Sequence, residues 1–404
     1  MTPRPERCSI LPLAALALLP VAGTGWLLSP PSILSKPASA AGQLSVNFID
    51  ITKQSGINFT HYTGAFGKKY LPETMGSGCA FIDYDNDGNP DILLIQANDF
   101  PDHRSGQRRT LKLYHNNGNG TFTEQAVQAG IAFSEDGVAR GAMGIDAADF
   151  DGSGYPSLAI GNFSNQMIGL YHNERNRFFI DIAPSSSVGR ASLLSLSFGL
   201  FFCDYDLDGL DDLFVANGHI EPDINRIQPQ VSYAELPLVF HNEGRDAKGN
   251  ERFLEVGKQV GFSKPLVARG AAYADIDNDG APDILLTTNG GPAYLFHNVG
   301  GSGNNTIRIR TVGTRSNRDG IGAVVSVHTP GELGVRSEQT VHSGSSYCSQ
   351  SELTLTFGLG KASVADIEIE WPSGQKDNIG GLAANSTYTL EEGGKVLGKR
   401  PFKR

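Results

Sequence analysis

Cysteine is scarce, with four in 404 residues at positions 8, 79, 203 and 348. Cys8 falls in an N-terminal leader considered below. The other three are an odd, sparse set, which excludes a disulfide framework: one bridge is allowed, and buried free thiols are expected instead, with Cys79 and Cys203 in the core. Long helical patterns are also rare, which excludes a helix bundle. No stripe of basic residues is present and the net charge is −10, so the chain lacks the means to neutralise nucleic-acid phosphates. There is no G-x-S-x-G elbow, no H-E-x-x-H zinc site and no phosphate-binding glycine loop.

Glycine is plentiful, at 49 residues, and short runs of aromatic and β-branched residues alternate with turn signals. That is the pattern of an all-β protein. Residues 1–40 stand apart. Arg4 and Arg7 precede an apolar run from Ile10 to Leu28, and "ASA" at 38–40 follows. This order of basic, apolar and small residues reads as a signal peptide, and Pro12 and Pro20 suit it better than a spanning helix. The expected location is secreted, periplasmic or extracellular, with no stable membrane span after cleavage. Retention as an uncleaved anchor is the alternative.

The mature region repeats. "DYDNDGNPD" at 83–91 returns as "DFDGSGYPS" at 149–157, "DYDLDGLDD" at 204–212 and "DIDNDGAPD" at 275–283. An apolar segment with glycine precedes each copy, and a short strand follows, such as "ILLIQAN" or "LFVANGH". Next comes a strand ending in His-Asn, with His115, His172, His241 and His297 in equivalent places. A strand such as "GTFTEQA" or "RFFIDIA" completes three of the copies. Four-stranded antiparallel units repeated several times predict a β-propeller, because one unit alone cannot bury both faces of its sheet. Four blades are visible, and more are allowed where a blade lacks the aspartates. The fourth copy lacks its last strand, and "VNFIDIT" at 46–52 matches it, so the N-terminal strand is expected to latch the ring.

Like charges crowded into nine residues call for a cation. Ca²⁺ takes six to eight oxygens from carboxylates, carbonyls and water, and D-x-D-x-D-G-x-x-D offers them from alternate positions around a glycine turn. The expected ligands are Asp83, Asp85, Asp87, Asn89 (through its carbonyl) and Asp91 in loop one. In loop three they are Asp204, Asp206, Asp208, Leu210 and Asp212, and in loop four Asp275, Asp277, Asp279, Ala281 and Asp283. Loop two keeps Asp149 and Asp151, but Ser153 and Ser157 replace two carboxylates. Three Ca²⁺ sites are therefore expected, with a fourth, weak or empty, at 149–157. Oxygen-only ligation excludes a typical zinc site.

These residues resemble the FG-GAP or VCBS repeats of integrin-α-like propellers. "SNRDGIGAVVSV" (316–327), "SGSSYCSQSELTLTFGLG" (343–360) and "VADIEIEWPSG" (364–374) resemble the ASPIC/UnbV domain. Together they resemble the cartilage-acidic-protein family and its bacterial-type relatives; "YLPETMGSG" (70–78) and "NGHIEP" (217–222) share the likeness. The resemblance implies a calcium-binding extracellular propeller over 44–303. It also implies an ASPIC/UnbV domain over 304–393, whose alternating strands read as a β-sandwich-like unit, and leaves 394–404 as a basic tail.

The four histidines fall on third strands, too far apart to share an ion, and a structural role before the Asn turn is expected. His219, with Glu221 beside it, and Glu73 sit on loops. The leading expectation is a binding or adhesion module for an unidentified protein or glycan, with structural Ca²⁺ and no catalytic residues. The rival is a carbohydrate-active or biosynthetic enzyme using His219, Glu221 or Glu73.

Overall fold

The computed structural model describes residues 49–403 except 69–77, 86, 88, 97, 98, 100–102, 107, 108, 176, 177, 247–249, 301, 302 and 332–334. The leader at 1–40, Glu73 and residues 46–48 of the expected latch lie outside the described residues. The chain divides into Met1–Asp50 and Ile51–Arg404. In the first unit only residues 49 and 50 are described, and neither is in a strand or helix.

Among its described residues the second unit is all-β apart from two short α-helices and one 3-10 turn at Ala183–Ser185. Its first four sheets follow the repeat. Sheet one holds β1 (Cys79–Ile82), β2 (Asp91–Leu94), β3 (Lys112–Asn116) and β4 (Phe122–Glu124). Sheet two holds β5 (Ala142–Ala148), β6 (Ser157–Asn162), β7 (Gly169–Asn173) and β8 (Phe179–Asp181), followed by helix α1 (Ser187–Ser192). Sheet three holds β9 (Ser197–Cys203), β10 (Asp212–Asn217), β11 (Leu238–Arg245) and β12 (Glu251–Glu255), with α2 (Ile224–Ile227) after β10. Sheet four holds β13 (Ala268–Ala274), β14 (Asp283–Thr288) and β15 (Tyr294–Phe296). Neighbours in sequence are neighbours in each sheet, all antiparallel. Each acidic loop joins the first two strands of its sheet.

The sheets stack in chain order, with one apolar layer between each successive pair. Leu93, Leu113, Leu158 and Ile160 share a cluster between sheets one and two. Phe150, Leu170, Phe202, Leu213 and Phe240 do so between two and three. Phe201, Phe214, Ala271 and Leu286 do so between three and four. Glycine permits the closest approach of first strands. A Cβ on Gly144 would lie 2.0 Å from the backbone oxygen of Phe198, and one on Gly199 would lie 2.8 Å from that of Arg269.

Among the described residues sheet four keeps three strands. The described part of the expected latch is not a strand: the Ser55 amide donates back to Ile51 O at 2.8 Å, and Ser55 O accepts from Phe122 at the start of β4. From residue 51 the chain therefore turns along the outer strand of sheet one.

The C-terminal region holds β16 (Asn305–Val312), β17 (Val324–His328), β18 (Arg336–Thr340), β19 (Leu355–Gly360), β20 (Val364–Glu370), β21 (Lys376–Ala383), β22 (Ser386–Glu391) and β23 (Lys395–Pro401). They form two sheets, β19-β16-β22-β23 and β18-β17-β20-β21, with β16 and β22 parallel. Ile307, Phe357 and Leu390 from one sheet and Val325, Ile367 and Trp371 nearby share one core, which makes a sandwich. The expected basic tail is instead largely strand β23, paired antiparallel with β22. Its lysines and arginine suit an exposed sheet edge, where charge deters pairing with other chains, so a basic run there is compatible with a strand. The segment 345–352 leaves this sandwich and lies against β13. Ser349 Oγ sits 2.7 Å from where a Cβ on Gly270 would be, and the Glu352 amide donates to Tyr273 O at 3.2 Å.

Candidate functional site

The four acidic loops share one wiring. The first aspartate accepts amides from the fifth and sixth positions, which closes the turn. In loop three Asp204 Oδ1 accepts from Asp208 at 3.0 Å and Oδ2 from Gly209 at 2.8 Å. In loop four Asp275 accepts from Asp279 at 3.2 Å and Gly280 at 3.0 Å. In loop two Asp149 accepts from Ser153 at 2.9 Å and Gly154 at 2.7 Å. In loop one Asp83 accepts from Asp87 at 3.1 Å. The fifth residue in turn accepts the amide of the seventh, as at Asn89, Leu210 and Ala281. The ninth residue accepts from the second, as Asp91 does from Tyr84, Asp212 from Tyr205 and Asp283 from Ile276.

The third strand of each sheet returns to this ninth residue. Asn116, Asn242 and Asn298 donate their amides to Asp91, Asp212 and Asp283 at 2.7, 2.8 and 2.7 Å, and Asn173 donates to Ser157 Oγ at 3.0 Å. The histidine one residue earlier reaches the same carboxylates. His115 Nδ1 lies 3.3 Å from Asp91, His241 Nδ1 3.1 Å from Asp212 and His297 Nδ1 2.7 Å from Asp283. The histidines do not approach one another. Sequence spacing places them on third strands but does not reveal that those strands end over the loops.

The asparagine also joins sheets. Nδ2 of Asn173, Asn242 and Asn298 donates to the backbone oxygen of Tyr84, Phe150 and Tyr205, the second residue of the preceding sheet's loop, at 2.9, 2.8 and 2.8 Å.

The loops differ in charge balance. In loops one and three the aspartate at the third position keeps a buried oxygen without a hydrogen-bond partner, Oδ1 of Asp85 and of Asp206. Burial pushes Asp91 up to about 6 and Asp212 up to about 7, and like-charged neighbours add to it. Carboxylates that resist ionisation until a counter-charge arrives, with oxygens left over, fit a hard cation. Asp83, Asp85 and Asp87 converge in loop one, and Asp204, Asp206 and Asp212 in loop three. Loop four has its first carboxylate engaged, because Arg308 Nη1 of the sandwich lies 2.9 Å from Asp275 Oδ2. Loop two already holds a cation. Arg245, at the end of β11 in the next sheet, pairs through Nη2 with Asp151 and through Nε with Glu251 at 2.5 Å. His172 Nε2 adds a contact to Asp151 at 3.0 Å. Although burial opposes it, hydrogen bonds from His172, Asp149 and Ser153 hold the Asp151 carboxyl well below the usual range.

Residues 313–397 match the model of the ASPIC and UnbV family, and residues 83–160, from the first acidic loop into β6, match that of the FG-GAP-like repeat. The chain carries FG-GAP-like repeats and an ASPIC/UnbV region. It is similar to cartilage acidic protein 1 of Homo sapiens, 23% identical over 81% of this chain and 43% of that protein. The same protein of Xenopus tropicalis is 24% identical over 85% of this chain and 46% of its own length. The chain thus spans less than half the length of the curated relatives it matches. A solved lectin structure from Agrocybe aegerita, described as recognising non-reducing terminal N-acetylglucosamine, overlaps 56% of this chain and 67% of its own at 15% identity. Its TM-score of 0.26 is too low to speak for a shared fold.

His219 and Glu221 lie at the end of the sheets opposite to the acidic loops, where β10 runs out. His219 is buried, and its Nδ1 accepts the Glu221 amide at 3.0 Å. Glu221 in turn accepts from the amide of Asp223. Cys79, Cys203 and Cys348 are all free, but only Cys203 is buried. Cys79 is exposed because β1 alternates and the face bearing Cys79 and Phe81 has no described cover.

Proposed function

We propose that this chain is a secreted, calcium-stabilised propeller-type protein that acts as a binding or adhesion module. The observation that carries it is the repeated loop geometry, in which Asp85 and Asp206 each keep a buried oxygen without a partner among convergent carboxylates. Ca²⁺ in loops one, three and four would be bound by Asp83, Asp85, Asp87, Asn89 and Asp91, by Asp204, Asp206, Asp208, Leu210 and Asp212, and by Asp275, Asp277, Asp279, Ala281 and Asp283. Its chemistry there is charge neutralisation that ties the first two strands of a sheet together, and through the ninth residue ties in the third. Loop two is served by Arg245. Closure into a ring is supported by the stacking in chain order and by apolar side chains left bare at both ends of the stack, Phe81 on sheet one and Leu285 and Leu295 on sheet four. In this reading the propeller covers 44–303 and the sandwich follows it. Secretion rests on the leader pattern, and no helix among the described residues is long and apolar enough to cross a membrane.

The test is thermal melting with calcium and with chelator, coupled to glycan-array and pull-down screening of the mature chain. A lower melting temperature in chelator and calcium-dependent capture support the reading. A melt indifferent to chelator together with blank screens contradicts it. The enzymatic reading is favoured by one observation, the buried acid Glu235 near His219.

A further inference from the structure

Arg269 lies in β13 within the bulge that shifts its register between Ala268 and Ala271. It is half-buried, at the end of sheets three and four remote from the acidic loops. Its guanidinium donates through Nη1 to Gly218 O at 2.9 Å and Ala268 O at 2.8 Å, and through Nη2 to His219 O at 3.1 Å. Its Cζ sits 4.1 Å from the centre of the Phe198 ring. Among the described residues it pairs with no carboxylate. The other buried arginines do: Arg140 pairs with Asp181 at 2.8 Å, and Arg308 pairs with Asp275 and Glu352. A cation partly withdrawn from water without a counter-charge is costly.

The nearest acid, Glu235, attracts the guanidinium without forming an ion pair with it. Glu235 is 7% exposed. Its Oε2 accepts the Leu196 amide at 2.9 Å, and its Oε1 is buried without a partner. Burial pushes Glu235 up to about 8, so at neutral pH it is an acid with a proton to give. His219 spends Nδ1 on the Glu221 amide, which places its ring proton on Nε2, and burial keeps the ring neutral. Tyr347, from the sandwich segment that lies against β13, meets the Phe198 ring edge-on at 5.0 Å and is only half-buried.

We propose that this end of sheets three and four binds a sugar acid, with Arg269 taking its carboxylate and His219 donating a second hydrogen bond. A planar guanidinium suits a carboxylate, and the half-exposed Tyr347 ring beside polar donors suits a polar ring that carries one, Phe198 being fully buried beneath the guanidinium. The net charge of −10 disfavours non-specific binding of a polyanion. This rests on the reading of the chain as a binding module and names its ligand.

The experiment is calorimetric titration of the calcium-loaded mature chain with glucuronate and galacturonate, and with glucose, galactose and acetate for comparison. A uronate should bind at least tenfold more tightly than its neutral parent sugar and than acetate. Arg269→Gln should weaken it at least tenfold with the melting temperature kept. Tyr347→Ala, at a half-buried position, should weaken it severalfold and serves where the arginine variant fails to fold. Equal binding of uronate and parent sugar, acetate as good as uronate, or a folded Arg269→Gln chain that binds like wild type would overturn the proposal. So would no uronate binding at all. In that last case, capture of another ligand in the screens leaves the binding-module reading standing.

Discussion

Asn242 Nδ2 donates to Phe150 O at 2.8 Å and to Asp211 O at 3.1 Å, so one amide joins sheet three to the loop of sheet two. All three atoms are buried, and neither carbonyl has an equivalent route to water. Asn242→Ala should therefore destabilise by about 1–3 kcal/mol, the cost of unsatisfied buried polar groups. Asn116 is the control: its Nδ2 reaches only Pro90 O within its own sheet, in an exposed setting. Asn116→Ala should cost less at the side chain, about 0.5 kcal/mol. Urea unfolding of the two variants checks the contrast.

Arg245 supplies at loop two the charge that the other loops are proposed to take from an ion. Its partners Asp151 and Glu251 have side chains 0% and 5% exposed. Arg245→Gln leaves both without their main counter-charge. Arginine is itself 40% exposed in side chain, so the cost is discounted from the fully buried case to about 2 kcal/mol. The loss should be the same with calcium and with chelator. Asp208→Asn, in loop three, should lose stability relative to wild type in calcium and little in chelator. Unfolding curves in both conditions make the comparison.

Glu235 gives a pH dependence of definite sign. Its folded value is raised by burial from 4.5 to about 8. The folded chain therefore holds this proton where the unfolded chain has released it. The contribution to stability is fully present below 4.5 and declines as pH rises toward about 8. Glu235→Gln stays neutral throughout. The stability of wild type minus that of the variant should fall between pH 5 and pH 8.5, read from urea midpoints at each pH.

Glu392 gives the opposite sign in the sandwich. Its carboxylate accepts the amides of Thr314, Arg315 and Ser316 at 2.8, 2.6 and 2.8 Å and the hydroxyls of Ser316 and Ser373. Burial opposes ionisation, yet these donors hold the carboxyl well below its usual 4.5. Its stabilisation is present above 4.5 and is lost as pH falls below it. Glu392→Gln should cost about 2 kcal/mol at pH 7 and progressively less as pH falls below 4.5, measured by the same unfolding titration.

The strands and acidic loops were legible because they are local. Alternation, a glycine at the turn and aspartates two apart all lie within nine residues, and the four copies confirm one another. The sandwich was legible for the same reason, in runs such as Val364–Glu370. What the sequence hid is partnering at a distance. Nothing near Asp151 announces that Arg245 comes to it from the next sheet, and nothing near Asp275 announces Arg308. The sequence places the histidines at the ends of third strands, but their contact with the ninth loop residue depends on how strands one to three register. The segment 394–404 reads as a tail in sequence because exposed lysines and arginine mask its pairing, which uses backbone groups alone. Cys79 was expected in the core on the apolar character of β1, whose alternation turns it outward.

The most direct test is a calorimetric titration of the chelator-stripped mature chain with Ca²⁺, repeated on Asp87→Ala, Asp208→Ala and Asp279→Ala. The account predicts three sites in wild type and one fewer in each variant, with loop four weakest because Arg308 already offsets its charge, and with Ser153→Ala at loop two changing nothing. A wild-type chain that takes up no calcium, or a count that the three aspartate variants leave unaltered, would contradict it.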